Sequence, residues 1–389
     1  MRVTAEWVAP GHPDKICDRI SDAILDACLR EDPKSRVAVE TFGGHGLLVI
    51  GGEVTTTAKI DYEKIARKII DNDETKVIVN IVEQSPEIAR GVDNNGAGDQ
   101  GVMVGYATAE TKELMPLEVC LARSLSSHLR AGRSQLQDGK TQVTLDHNGD
   151  LETIVASWCG MSRDEIKNII EKWLSTILLD YDVAAADTLS VLINPAGDWN
   201  IGGFDADTGL TGRKLAIDNY GPRVPIGGGA FSGKDFTKVD RSGAYMARHL
   251  AIRCLMYYRN DITQDAAIVD FRPVAVMTRL AYAIGYPRPV EVTATLYRED
   301  GSFEVRDLLR EDIDVIYGYD LSPAGMIKHL DLGGRSNPSC ESLAMFGHFG
   351  RWSTPRPTWE RLDAEYAPSL ASILNSEHKI REAKWHDTD

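Results

Sequence analysis

The sequence predicts an α+β protein built from three related α/β units. Three stretches repeat one plan, a β-hairpin followed by an amphipathic helix and further strand, and glycine-rich charged motifs recur between them. At 389 residues the chain is also longer than a single hydrophobic core usually grows. Three related units are therefore favoured over one large parallel sheet.

Each element follows from its local pattern. The run 15–30 after GHPDK reads as a helix, whose N-terminal donors suit an anion. In the first unit, RVAVETF (36–42) alternates as a strand, GGHG turns the chain, and 47–55 returns. Tyr62 to Ile70 places Ile65, Ile69 and Ile70 at helical spacing, before the strand KVIVNIVE. In the second unit, 141–145 and 151–158 flank DHNGD, a strong turn signal. Ser162, with Glu165 three positions on, opens a helix to Leu179 through a capping box. A further hairpin is expected around NPAGD (194–198). A helix is expected over 241–258 after KVD. In the third unit, 274–286 and 290–297 read as strands, and REDGS turns into a short strand before a helix near Asp307. Beyond Phe349 the chain is rich in Pro and charge, and its last stretch is expected to fray or pack peripherally.

Composition narrows the function classes. Hydrophobic residues make up 43% and charged residues 26%, the balance of a soluble globular protein. A formal net charge of −15 repels long polyanions, so no nucleic acid partner is expected, and any phosphate ligand must be small and held locally. Six scattered cysteines without a CxxC pair predict reduced, partly buried thiols rather than zinc. The start carries no apolar h-region and no stretch is long enough to span a bilayer, so a cytoplasmic location without membrane contact is expected.

Four motifs carry candidate chemistry. GHPDK (11–15) lacks the Walker A frame, yet offers Asp14 as a metal ligand, Lys15 as a phosphate donor and His12 as a donor beside a developing oxyanion; a bare Gly-Pro turn is the alternative. GAGDQG (96–101) and TGRK (211–214) are glycine turns in which Arg213 and Lys214 match phosphate binding. GGGAFSGKDFTKVDR (227–241) joins a flexible glycine entry to Lys234, Lys238, Asp240 and Arg241. Glu40 and Glu53 lie on the paired strands of the first hairpin, where carboxylates also serve simply as a solvated face.

These strings, with IGGEVTT, EQSPEIARGVD, INPAGDWNIGG, YAIG and FGHFGR, occur in the order of one family from near residue 1 to about 351. The chain closely resembles the S-adenosylmethionine synthetases, also called methionine adenosyltransferases. The resemblance implies three similar α/β domains about a pseudo-threefold axis, over 1–90, 96–202 and 203–355 with a tail at 356–389, exchanging segments between units. It also implies condensation of ATP with L-methionine and hydrolysis of the tripolyphosphate, with Mg2+ (two per site), K+ and self-association that places active sites between subunits. Because methionine sulfur is a neutral nucleophile, catalysis rests on in-line positioning and on stabilising the leaving anion.

Carried over by motif, His12 donates near the ribose O5′, Asp14 and Asp240 hold magnesium, and Glu40 is the potassium-site carboxylate. His12, Lys140, Arg213, Lys234 and Lys238 form the catalytic set. ATP contacts fall on Lys15, Asp138, Trp199, Asp207, Lys214 and Ala230 beside members of that set. Methionine contacts fall on Glu53, Gln84, Asp99, Asp207 and Lys238. The chain departs from the family at Ala9-Pro10, Ser157 to Gly160, Asp198-Trp199 and Pro225-Ile226, and in a shortened segment before EQSPEIARGVD. A catalytically silent nucleotide-binding homologue and a tripolyphosphatase are the alternative readings; formation of the sulfonium product separates the active enzyme from both, and hydrolysis of added tripolyphosphate with methionine unchanged marks the second. Residues 83–95 are the candidate gate over the site.

Overall fold

A computed structural model describes residues 2–84, 96–259, 273–309, 319–351 and 355–361. The described chain forms three four-stranded sheets, each built on an antiparallel hairpin. The first is built on the hairpin β2 (Arg36–Gly44) and β3 (Leu47–Thr55). The helix α2 (Tyr62–Ile70) then crosses over to β4 (Lys76–Val82), which pairs parallel with β3. The second repeats this with β6 (Gly139–Leu145), β7 (Leu151–Trp158), the helix α4 (Arg163–Asp180) and parallel β8 (Ala185–Ile193). The third is the hairpin β10 (Ala275–Tyr282) and β11 (Glu291–Tyr297), followed by antiparallel β12 (Phe303–Asp307).

In every sheet the fourth strand is lent by a distant segment and pairs antiparallel with the first strand of the hairpin. β9 (Gly209–Leu210) pairs with β2, β1 (Val3–Val8) pairs with β6, and β5 (Gly101–Thr108) pairs with β10. A long helix covers one face of each sheet. α1 (Pro13–Glu31) packs on the first, α3 (Leu117–Arg130) on the second, and α6 (Val239–Arg259) on the third. Burial of these faces joins the helices and sheets in one continuous apolar core.

Most predicted elements sit where the local signals put them. Ser162 accepts from Glu165 N–H while the Glu165 carboxylate accepts from Ser162 N–H, the reciprocal box its spacing suggested. The expected hairpin at NPAGD does not form. Asn194 adopts φ 40°, and its side chain bonds Met161 O, Trp158 N–H and Asp198, so the chain turns away after β8 without a second strand. No helix begins at Asp307, which ends β12; residues 310–318 lie outside the described residues. The start of the tail belongs to the core, because Trp359 stacks on Tyr245 at 3.9 Å and Glu360 pairs with Arg248. The last stretch, 362–389, lies outside the described residues, as does most of the candidate gate. All six cysteines are buried. Among the described residues no helix is long and apolar enough to cross a membrane.

Candidate functional site

The site is organised from α1. His12 caps the helix, its Nδ1 accepting from Asp14 N–H at 3.2 Å, and Pro13 fits the first turn, where its missing N–H costs nothing. Four aspartates follow at steps of four, so they form one column along the helix. Each takes backbone N–H groups from a segment far along the chain. Asp14 accepts from Leu210, Asp18 from Gly212, Asp22 from Gly233, and Asp26 from Cys340 and Glu341. The column thereby ties the TGRK loop and the GGGAFSGKD loop to the helix that starts with HPDK.

At the top of the column, Asp14 is buried and meets Lys214 Nζ at 2.5 Å and Arg213 Nε at 3.1 Å. Burial pushes its carboxyl upward, but the bonds from Lys214 and Leu210 N–H outweigh this and hold it below the ordinary carboxylate range. Burial, reinforced by the Lys214 charge, lowers His12 to about 4, so the ring is neutral near pH 7. With Nδ1 accepting from Asp14 N–H, the proton resides on Nε2. Asp138, Lys140 and Asp207 share this neighbourhood. Ala9 N–H bonds Gly139 O at 2.8 Å, Asp138 accepts from Gly203 N–H, and burial raises the Asp138 carboxyl. Lys140 projects from the exposed face of β6, 3.8 Å from Glu6, and Asp207 is exposed in the loop before β9.

The second cluster stands on α6 and the first sheet. Lys234 Nζ bonds Asp240 Oδ2 at 2.6 Å, and Lys234 bridges β2 at Ala38, directly opposite Glu53 on β3. Glu40 lies two positions further along β2, exposed, opposite the bare backbone of Gly51. Gln84 follows β4, its N–H bonding Thr55 Oγ1. Asp99 is exposed beside the bridge between Ala97 and Ile284, on the segment leading to Gly101 close to Asp240. Ala230 faces Gly212, which is where the two clusters adjoin.

Two placements, those of Lys15 and Lys238, differ from the expected contacts. Lys15, expected as a phosphate donor, is a core residue. One position beyond Asp14, it turns inward to Asp18 at 3.0 Å and Asp218 at 2.6 Å, and these carboxylates outweigh burial and hold its ammonium well above the usual range. Lys238 is taken by the buried carboxylate of Asp235, which also accepts from Val37 N–H. Trp199 is half-buried, its carbonyl accepting from Gly160 N–H.

Sequence reading missed Asp18, Asp22 and Asp235, the carboxylates that hold the motif loops from below. The spacing of four in PDKICDRISDAILDA was the available signal. Two departures also find structural roles. Asp198 accepts from Asn194 and closes its own loop, and the fully buried Trp158 lies over Gly139, where any Cβ would stand 2.4 Å from its ring.

Among the described residues, no three His, Cys, Asp or Glu side chains group as a complete metal cage. Asp14 and Asp240 each offer one carboxylate, which suits magnesium bridging substrate phosphates, since that ion commonly keeps only one or two protein carboxylates. The backbone leaves room for such a ligand. A Cβ on Gly229 would lie 2.2 Å from Asp240 Oδ1, so the bare glycine forms a cradle over that carboxylate.

Comparison with known proteins gives a consistent result. The family models for the S-adenosylmethionine synthetase N-terminal, central and C-terminal domains match residues 1–86, 94–199 and 201–361. An S-adenosylmethionine synthase of Fusobacterium nucleatum is 42% identical, covering 92% of this chain and 95% of the relative. One from Brachyspira hyodysenteriae is 40% identical with the same coverage, and one from Treponema denticola 41%.

Proposed function

Because the chain belongs to the S-adenosylmethionine synthetase family, we propose that it is a methionine adenosyltransferase acting through the residues gathered along α1 and α6. It joins ATP and L-methionine to give S-adenosylmethionine, phosphate and diphosphate. The observation that carries the assignment to these residues is the interleaving of cations and carboxylates, with Lys214 and Arg213 on Asp14 and Lys234 on Asp240.

In the chemical step a methionine sulfur lone pair forms the bond to C5′ as the bond from C5′ to O5′ breaks, and the tripolyphosphate leaves with its charge. No strong base is required. Arg213, Lys214, Lys234 and Lys140 offset the charge growing on the leaving oxygens. His12 suits donation at O5′, because its neutral ring carries hydrogen on Nε2. Asp14 and Asp240 would hold magnesium, which supplies neutralisation of phosphate charge, and the exposed Glu40 is the carboxylate for potassium. Glu53, Gln84, Asp99 and Asp207 form the methionine side. Trp199 and Ala230 border the nucleotide, while Asp138 positions the backbone at Gly203. Lys238 reaches methionine only by leaving Asp235. The active sites are proposed to be completed by self-association, and water then hydrolyses the tripolyphosphate in place.

The test is direct. Purified protein with ATP, methionine, magnesium and potassium is expected to form the sulfonium product, read by mass spectrometry, with phosphate and diphosphate released. Absence of that product across salt and pH overturns the reading.

A further inference from the structure

A second cluster of cations lies away from these residues. A cavity of 470 Å³ opens between α3, β1 and the segment 346–351, lined among others by Trp7, Glu113, Arg123, Arg130, Tyr181 and Arg351. It sits on the buried side of the second sheet, since Trp7 pairs with buried Thr141, while Lys140 projects from the opposite, exposed face.

The three arginines have no carboxylate within ion-pair distance among the described residues, in a chain whose net charge is −15. Arg123 donates to the Phe349 and Gly350 carbonyls, and Arg351 to Ser342. Arg130 and Arg351 both lie over the Phe346 ring, at 4.8 and 5.7 Å, and Arg123 lies over Trp7. Flat contact with a ring leaves in-plane donors available: the edge of Arg130, and the second hydrogens on the terminal nitrogens of Arg123 and Arg351, whose first ones serve the Phe349, Gly350 and Ser342 acceptors. The Glu113 carboxylate in the same lining is engaged by Tyr181 Oη at 2.8 Å. Burial, reinforced by the neighbouring Arg123 charge, lowers Arg351 to about 10.

We infer that this cavity is a second anion site, one that takes a small phosphate-class anion such as inorganic phosphate or diphosphate. Three guanidiniums around one space repel each other, and a multiply charged oxyanion relieves that repulsion while accepting their edge donors. An inorganic anion is favoured over a nucleotide because the Trp7, Phe346 and Tyr181 rings each already carry a cation on a face, Tyr181 from Lys112.

Equilibrium dialysis of the full chain against labelled diphosphate, in chelator and at low salt, tests this. Two variants are compared with the unaltered protein, Arg130→Gln and Ser127→Glu, the latter placing a carboxylate on the wall without removing any arginine. Circular dichroism checks that each variant is folded. The unaltered protein is expected to bind one more diphosphate per chain than either folded variant, with turnover unchanged in both. Equal stoichiometry in all three proteins overturns the site. Adenosine monophosphate displacing the label from the variant-sensitive site at lower concentration than unlabelled diphosphate overturns the inorganic assignment.

Discussion

Lys214 donates to Asp14 at 2.5 Å across 200 positions of sequence, and Arg213 reaches the same carboxylate. This contact brings the TGRK loop onto the start of α1, and with it the cations proposed to hold the leaving group.

Asp14→Asn keeps the shape but removes the charge that gathers Lys214 and Arg213. Formation of S-adenosylmethionine is expected to fall about 100- to 1,000-fold, the range for losing a group that stabilises transition-state charge. Since the folded carboxyl is held below its ordinary value, the stability it contributes is present above that value and is lost as pH falls through the lower folded one. Acid unfolding monitored by circular dichroism should therefore be shallower in the variant at its low-pH end.

His12 titrates near 4, below its ordinary 6.5, because it is buried beside Lys214. Its contribution to stability is complete above pH 6.5 and declines as pH falls toward 4. Nuclear magnetic resonance of the imidazole should show a neutral ring from pH 6 to 9, with no His12 inflection there. A midpoint near 6.5 would overturn the reading that burial beside Lys214 keeps the ring neutral down to acid pH.

Gly229→Ala adds a methyl group where Asp240 Oδ1 already stands 2.2 Å away. The carboxylate must shift, and the magnesium concentration for half-maximal activity is expected to rise about 10- to 100-fold, as for other disturbed ligand supports. Removing the metal with chelator should abolish activity in both proteins, and added magnesium should restore it.

Arg241 and Asp22 form a fully buried pair that also grips the carbonyls of Phe231 and Lys234. Arg241→Ala leaves an uncompensated buried carboxylate and should cost about 3–5 kcal/mol in denaturant unfolding. Ser162→Ala, which removes only a helix cap, should cost about 1 kcal/mol and leave turnover unchanged.

Turns and caps were legible because their causes are local. GGHG, DHNGD and the Ser162 box each fix a few dihedral angles with neighbouring groups, and each forms as read. NPAGD failed as a hairpin signal because Asn194 spends its side chain on Met161 and Trp158, a contact chosen by packing. The lending of β1, β5 and β9 to sheets far along the chain was equally hidden in detail, since an isolated alternating run does not specify its partner.

The sequence by itself determined the motif order, the helix and hairpin signals and the family, all of which reside in residue identity and short spacing. The tertiary structure decided which charges face the site. Lys15 and Lys214 look alike as lysines beside glycine motifs, yet Lys15 is sealed between Asp18 and Asp218 while Lys214 reaches Asp14. A buried ammonium is held only where carboxylates converge on it, and those carboxylates come together through the packing of α1 against segments about 200 residues away.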